Sequence, residues 1–262
     1  MTRALEALHH TEQLVGLAVA LQTLELFAVR RKLGDACALG WPAVRRGYVR
    51  APRSLVRALD RLFAARAFVL LLAVQLASAI GLACAWFPHA AAPVLVLTSL
   101  ALSVRFRGPY NGGSDVMTMV VLLGVSLARA LGDERGRQIG LGYVAAQLVL
   151  SYFVAGAVKL RRAHWRSGEA LTRLCTAGSY DVAPFAARVL GMPGVARTAS
   201  WAVIALECGF PLALLDARAC AVLLALGAGF HVANAYVLGL NRFLWAWLAA
   251  YPALAYWTAL AD

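Results

Sequence analysis

The chain is dominated by apolar runs that approach or exceed ~18 residues, the length a helix needs to cross a ~30 Å hydrocarbon layer, and arginine-rich connections separate them. Only 15 % of the residues are charged and 61 % are apolar, against about 25 % charged in ordinary soluble chains. The expected fold class is therefore all-α: a polytopic transmembrane helix bundle of about eight spans, forming one domain over residues 1–262. No soluble domain of useful size, internal repeat or low-complexity segment is visible.

The expected spans are 13–29, 67–86, 92–104, 116–131, 139–160, 199–215, 219–240 and 243–260. The third is short enough to be tilted or partly re-entrant. The first contains Gln22 and Glu25 and runs into Arg30-Arg31-Lys32 rather than a small-residue cleavage site, so it reads as a span and not as a cleavable signal. In the long basic connection that follows, Leu55, Leu59 and Leu62 recur at helical spacing while Arg53, Arg57 and Asp60 face elsewhere. That pattern predicts a helix lying in the membrane interface. The connection before the sixth span is basic and rich in turn residues (Gly178, Pro184, Gly191, Pro193, Gly194), with room for another short interfacial helix. Gly112-Gly113 makes the turn before the fourth span, with Ser114 as N-cap and Asp115 in the first turn.

The net charge of +12 does not point to nucleic acid, because the arginines sit in the loops between spans. There they set topology and meet anionic lipid headgroups. Loops at the ends of spans one, three, five and seven hold 20 Lys/Arg, against 5 on the opposite side. The expectation is an integral protein of a bacterial cytoplasmic membrane with both termini outside and the basic loops in the cytoplasm. The five cysteines, Cys37, Cys84, Cys175, Cys208 and Cys220, show no metal-ligand spacing. They read as small buried hydrophobes.

Of the 25 basic residues only Lys32 and Lys159 are lysine. Arginine stays protonated in proteins, whereas a buried lysine can become a neutral base, which makes Lys159 the candidate reactive centre. Tyr152, Gly156 and Lys159 follow at i, i+4, i+7 and share a helix face, with the glycine permitting close helix approach. Glu207 lies well inside span six, and His231 and Asn234 share one face of span seven. Glu25 and Asp115 fall at a matching depth. Ionisable groups in hydrocarbon cost roughly 2.5–3.5 kcal/mol each and need a partner or a purpose, so these six groups predict one shared polar pocket. Each also has a plainer role. Lys159 could snorkel to headgroups, Glu207 could form a structural ion pair, and His231 and Asn234 could join helices by hydrogen bonds. Asp115 could simply complement a helix dipole, and Glu25 could pair with Arg30. No metal set emerges, and there is neither a nucleophilic triad nor a phosphate loop.

Tyr152-Phe-Val-Ala-Gly-Ala-Val-Lys-Leu160, with Trp165 and Gly168 beyond it, resembles the Tyr-Phe-x-Ala-Gly-x-x-Lys-Leu…Trp…Gly signature of the membrane domain of vitamin K-dependent γ-glutamyl carboxylase. The wider set is the horizontally transferred transmembrane (HTTM) domain family. Phe230-His231-x-x-Asn234 with Gly239 and Phe243 is similar to the family's Phe-His…Asn…Gly…Phe helix, and Tyr110-Asn111-Gly-Gly-Ser-Asp115 falls where the family has an Asn-containing turn. The resemblance covers nearly the whole chain in span order. It implies Lys159 as a base that deprotonates a quinol, its amine kept neutral by burial and nearby arginines. His231 and Asn234 would position that quinol or stabilise oxyanion charge. Tyr152, Gly156, Trp165, Glu207, Asp115 and Asn111 would line the substrate site.

The departures from the family narrow this reading. The sequence stops after span eight without the carboxylase's large extramembrane portion, and no histidine follows Asn111. The charge asymmetry places the motif side in the cytoplasm rather than the lumen. γ-Carboxylation of a secreted protein is therefore not expected. The function expected is a quinol-using or peptide-modifying membrane enzyme core, carboxylase-like, with a quinone or quinol as cofactor. Membrane lipid and a peptide substrate or separate soluble subunit are its partners. The alternatives are a non-catalytic membrane partner in maturation or export of a secreted peptide, and a quinone-binding subunit of a redox complex.

Overall fold

The computed structural model describes residues 2–34, 37, 39–106, 112–176 and 182–260, and among them every regular element is helical. In chain order the α-helices are α1 (Arg3–Ala28), α2 (Trp41–Arg45), α3 (Arg53–Leu62), α4 (Ala65–Ala83), α5 (Pro88–Arg105), α6 (Gly113–Leu131) and α7 (Glu134–Arg161). They continue with α8 (Ala163–Arg166), α9 (Glu169–Thr176), α10 (Pro184–Leu190), α11 (Pro193–Gly209), α12 (Ala217–Leu238) and α13 (Asn241–Thr258). Short 3-10 turns join some of them. The one at Phe210–Leu214 carries the chain from α11 toward α12.

Local chemistry sets several of these ends. Thr2, Asp133 and Asp216 each accept a first-turn N–H, starting α1, α7 and α12. Proline at the first position opens α5, α10 and α11, where its missing N–H costs nothing.

Each expected span falls on a helix, but several boundaries move. α1 starts at Arg3, not near residue 13, because the buried face Ala4, Ala7, Leu8, Thr11, Val15 and Val19 keeps a helical period through its polar first half. α5 runs for 18 residues from Pro88, so the third span is a full-length helix and not a short one. The sixth begins earlier, at Pro193, and ends at Gly209. Among the described residues five helices, α4, α5, α6, α7 and α12, are long and apolar enough to cross a membrane, or six if Pro184–Leu190 and the bent segment Gly194–Leu214 count as one span. α1 and α13 fall outside that set. α1 carries Glu6, Glu12 and Glu25, and α13 carries Arg242 and a run of tryptophans and tyrosines. Even so, these two pack against each other at the centre of the bundle, α1 also on α4 and α13 also on α7 and α12.

Residues between α1 and α4 fold into a cap with its own small core of Leu33, Trp41, Leu59, Phe63, Phe68 and Phe106. At its centre lies the guanidinium of Arg105, 1 % exposed. It donates to the Leu39 carbonyl at 2.9 Å and the Leu33 carbonyl at 3.4 Å, and sits 5.2 to 5.3 Å from the Phe106 and Phe68 ring centres. A cation this deep needs such partners. The predicted amphipathic segment is α3. It buries Leu59, leaves Leu55 and Leu62 exposed, and turns Arg53, Arg57 and Arg61 to the surface. Asp60 ties it back to α2, taking hydrogen bonds from Arg45 and from Trp41 Nε1. Those bonds, Arg45's foremost, hold the Asp60 carboxyl below the usual carboxylate range.

Two arginines assigned to loops by their sequence position are therefore structural. Arg105 anchors the cap, and Arg129 pairs inside the bundle with Glu12 through two 2.6 Å hydrogen bonds. Replacing Arg105 with alanine strands the carbonyls of Leu33 and Leu39 and removes the stacked cation. Arg105→Ala is expected to cost about 2–4 kcal/mol and to expose the segment before α4 to protease well before the bundle melts, as read by limited proteolysis along a thermal ramp.

Candidate functional site

The face of α7 that carries Tyr152, Gly156 and Lys159 packs against α11. Gly156 makes that contact: a Cβ there would lie 2.6 Å from the Cys208 backbone nitrogen and 2.8 Å from Glu207 Cβ. Because the helices come this close, the lysine one turn further on reaches across. Lys159 Nζ donates to both carboxylate oxygens of Glu207 at 2.7 Å. The side chains are 17 % and 5 % exposed, so the pair is desolvated enough for its geometry to matter. An ammonium and a carboxylate in contact bring no net charge to the bundle interior.

Below the end of α7 the chain folds back on α11. Gly168 has φ +86°, and a Cβ on it would lie 2.5 Å from the Arg197 nitrogen, so no larger residue makes this turn. Ser200 donates to the Trp165 carbonyl, and the Trp165 ring lies 5.1 Å from Lys159 Nζ. The Trp and Gly of the lysine motif thus frame the lysine, one as a ring beside the cation and the other as the turn that holds the ring there.

One and two turns earlier on α7, Tyr152 begins a second polar chain. Its hydroxyl sits 2.8 Å from His231 Nε2 on α12 and 2.8 Å from the Tyr251 hydroxyl on α13. Its ring stacks on Phe210, with centres 3.8 Å apart and planes 15° apart. The His231 ring is flanked by Phe230 and Trp247, each 5.1 Å away, and Trp247 stacks on Phe243.

These groups line a cavity of about 810 Å³ between α12 on one side and α6 and α7 on the other. Its polar wall holds Lys159, Glu207, Tyr152, His231 and Asn234, and the rest is apolar and aromatic. Val116, Leu150, Val154 and Val158 line it and are about half exposed. The cleft therefore opens sideways, between helices. The volume lies in the range of small-molecule sites.

Of the residues singled out from sequence, Lys159, Tyr152, Trp165, Glu207, His231 and Asn234 meet in this cavity, and Gly156 sets the helix approach behind it. Asp115 does not join them. The first turns of α6 put Gly113, Val116 and Met117 toward the large cavity and Asp115 and Thr118 toward a smaller one of about 30 Å³ with Gln22, Gln75, Ser99 and Arg242. The single polar pocket expected from depth alone is thus two chambers. Glu25 binds Arg242 at 2.7 Å and Asn241 at 2.8 Å, while Arg30 turns to the Phe27 carbonyl, so the expected Glu25–Arg30 pair is replaced. Asn111 and Tyr110 lie outside the described residues.

Sequence reading missed Tyr251, the Phe210 stacking platform and the Glu12–Arg129 pair. A mid-span tyrosine hydroxyl that needs a partner is a usable signal, and so is a glutamate on an unbroken helical period. Nothing local marks Phe210. Among the described residues no group of three His, Cys, Asp or Glu side chains is placed to hold a metal.

No family model, no curated protein and no solved structure matches this chain.

The pair makes a thermodynamic prediction. Lys159→Met or Glu207→Leu alone leaves a lone charge against a helix contact and should destabilise by about 3 kcal/mol. The double variant should cost clearly less than the sum, measured as a double-mutant cycle on thermal or denaturant unfolding in detergent.

Proposed function

We propose that the chain is an eight-span membrane protein of the HTTM, carboxylase-like kind that binds a quinol in the cavity beside Lys159, with Lys159 as the base. The observation that supports this best is the shape of the site: an aromatic, laterally open slot of about 810 Å³ closed at one side by Lys159–Glu207 and by Tyr152–His231. An apolar ring system with a tail enters such a slot from the bilayer, and its oxygens meet the polar wall. The residues fit the ligand. Phe230, Phe243, Trp247 and Trp165 offer ring faces, and His231 Nδ1 is buried without a hydrogen-bond partner among the described residues.

A bound quinol supplies a removable ring-hydroxyl proton and a pair of electrons. The protein's own part is to receive that proton. In this reading Lys159 passes one proton to the Glu207 carboxylate, 2.7 Å away, and the freed amine turns its single lone pair from Glu207 toward the cavity to take the quinol proton. His231 and Asn234 fix the ring oxygens, and His231 is in turn held by the Tyr152 hydroxyl. Positioning of this kind strengthens any charge that develops on oxygen. The topology that goes with this reading has both termini outside a bacterial cytoplasmic membrane and the basic loops inside, with a peptide or separate soluble subunit completing the reaction. The charge asymmetry of the loops supports that orientation.

The two-oxygen clamp of Lys159 on Glu207 also suits a second reading, a non-catalytic partner whose polar groups hold helices together. Lys159→Arg separates the two, because arginine keeps the ion pair but does not deprotonate. In nanodiscs, titration with a lipid-soluble naphthoquinol should quench tryptophan fluorescence from Trp165 and Trp247. Lys159→Arg should retain the quench and lower aerobic quinol consumption by ~100-fold or more. Undiminished consumption in the variant defeats the role of the base, and absence of any quench defeats the ligand.

A further inference from the structure

The smaller chamber, between α1, α4, α5, α6 and α13, is lined by several polar groups. Gln75, near the middle of α4, is 0 % exposed, and among the described residues neither its amide oxygen nor its amide nitrogen has a hydrogen-bond partner. The Ser99 hydroxyl on α5 is likewise buried and has no partner among the described residues. Both line the chamber together with Thr118 and Asp115 of α6. Asp115 accepts from the Gln22 amide at 2.9 Å, and Arg242, on the far wall, is committed to Glu25 at 2.7 Å.

A primary amide left wholly unbonded in a bundle interior costs several kcal/mol on hydrocarbon scales, and two orphaned groups aimed into one space are better explained by a shared guest than by two independent penalties. The space is about 30 Å³, and a water needs ~10–15 Å³ by that measure, so about two fit. The chemistry of the wall selects among small guests. A sodium ion would suit the oxygens of Asp115, Thr118, Ser99 and Gln75. It would be opposed by the Gln75 amide N–H₂ and by the guanidinium of Arg242, which face the same space. An anion would be opposed by Asp115. Water both donates and accepts, and satisfies all of them.

We propose that this chamber is an internal hydration site, in which ordered water bonded to Gln75, Ser99, Thr118 and Asp115 ties α4 and α5 to the first turns of α6. The site is independent of what occupies the large cavity. It has a mechanical consequence for it, because the opposite face of those same turns, at Gly113, Val116 and Met117, forms a wall of that cavity.

Radiolytic hydroxyl footprinting of the purified protein in nanodiscs tests this, since bound water activated in place labels adjacent buried side chains. Labelling is expected on residues around the chamber, with Leu102 and Phe106 the reporters, despite their burial. In Gln75→Leu that labelling should fall several-fold and the melting temperature should drop by a few degrees. Ser99→Ala, a milder change, should lower both by less. A dry chamber predicts the reverse: no labelling, and a Gln75→Leu variant more stable than the parent because an unmet amide has been removed. A melting temperature that rises with sodium chloride and not with choline chloride would overturn the proposal in favour of a cation.

Discussion

A charge that is withdrawn from water must be met by another charge or by hydrogen bonds, and the arrangement of this bundle follows from how its few buried charges are met. Glu12 of α1 takes both ends of Arg129 from α6. Glu25, near the C-terminal end of α1, takes Arg242 from α13. Glu207 of α11 takes Lys159 from α7, and Arg105 is received by two loop carbonyls. Each pair joins helices that are distant in sequence, so the pairs act as registers between helices whose apolar faces alone would slide. Desolvation consumes much of the gain from each pair. What the two buried pairs, Glu12–Arg129 and Lys159–Glu207, add is specificity, since a shift that separates either strands a charge in the bundle interior; Glu25–Arg242 is about a third exposed and adds less.

The Lys159–Glu207 pair differs from the other two in its surroundings. Glu12–Arg129 joins α1 to α6 near the middle of α1, and Glu25–Arg242 joins it to α13 near its C-terminal end. Lys159–Glu207 borders the large cavity. The reason lies in α12. That helix packs on α13 and on the Phe210–Leu214 turn and buries only Cys220, Gly227 and His231 along its length. It stands off from α6 and α7, and the cleft between them is the site. A bundle closed on itself would have left Lys159 a structural residue. The open cleft places it on a cavity wall.

Much of this was legible in the amino-acid order. Long apolar runs give helices, and each expected span overlaps one, although only five or six of the described helices are long and apolar enough to cross a membrane. The lysine motif, read only as a helix face, put Tyr152, Gly156 and Lys159 on one wall, and the structure adds the partners that such a face needs. What failed was the inference of a single pocket from common depth. Depth fixes a residue along the membrane normal and says nothing of its azimuth, and Asp115 and Val116 are adjacent in sequence yet look into different chambers. The start of α1 was misplaced for a related reason. Glu12 looks like the polar flank of a span when it is read alone, and becomes interior once Arg129, 117 residues away, is brought beside it. Long-range partners of that kind leave no local trace.

The two chambers are linked by the same two helix starts. In α6, Asp115 and Thr118 face the small chamber while Gly113, Val116 and Met117 face the large one; in α13, Arg242 faces the small chamber and Phe243 the large one. Phe243 also lies against Gly113, where an added Cβ would come within 3.3 Å of its ring. The polar side of each helix start therefore sets where its aromatic or apolar side stands in the ligand cavity. Asp115 was read from sequence as part of the substrate site. Its place behind the wall gives it a different kind of influence, through the position of α6, with no contact to anything bound in front of that wall.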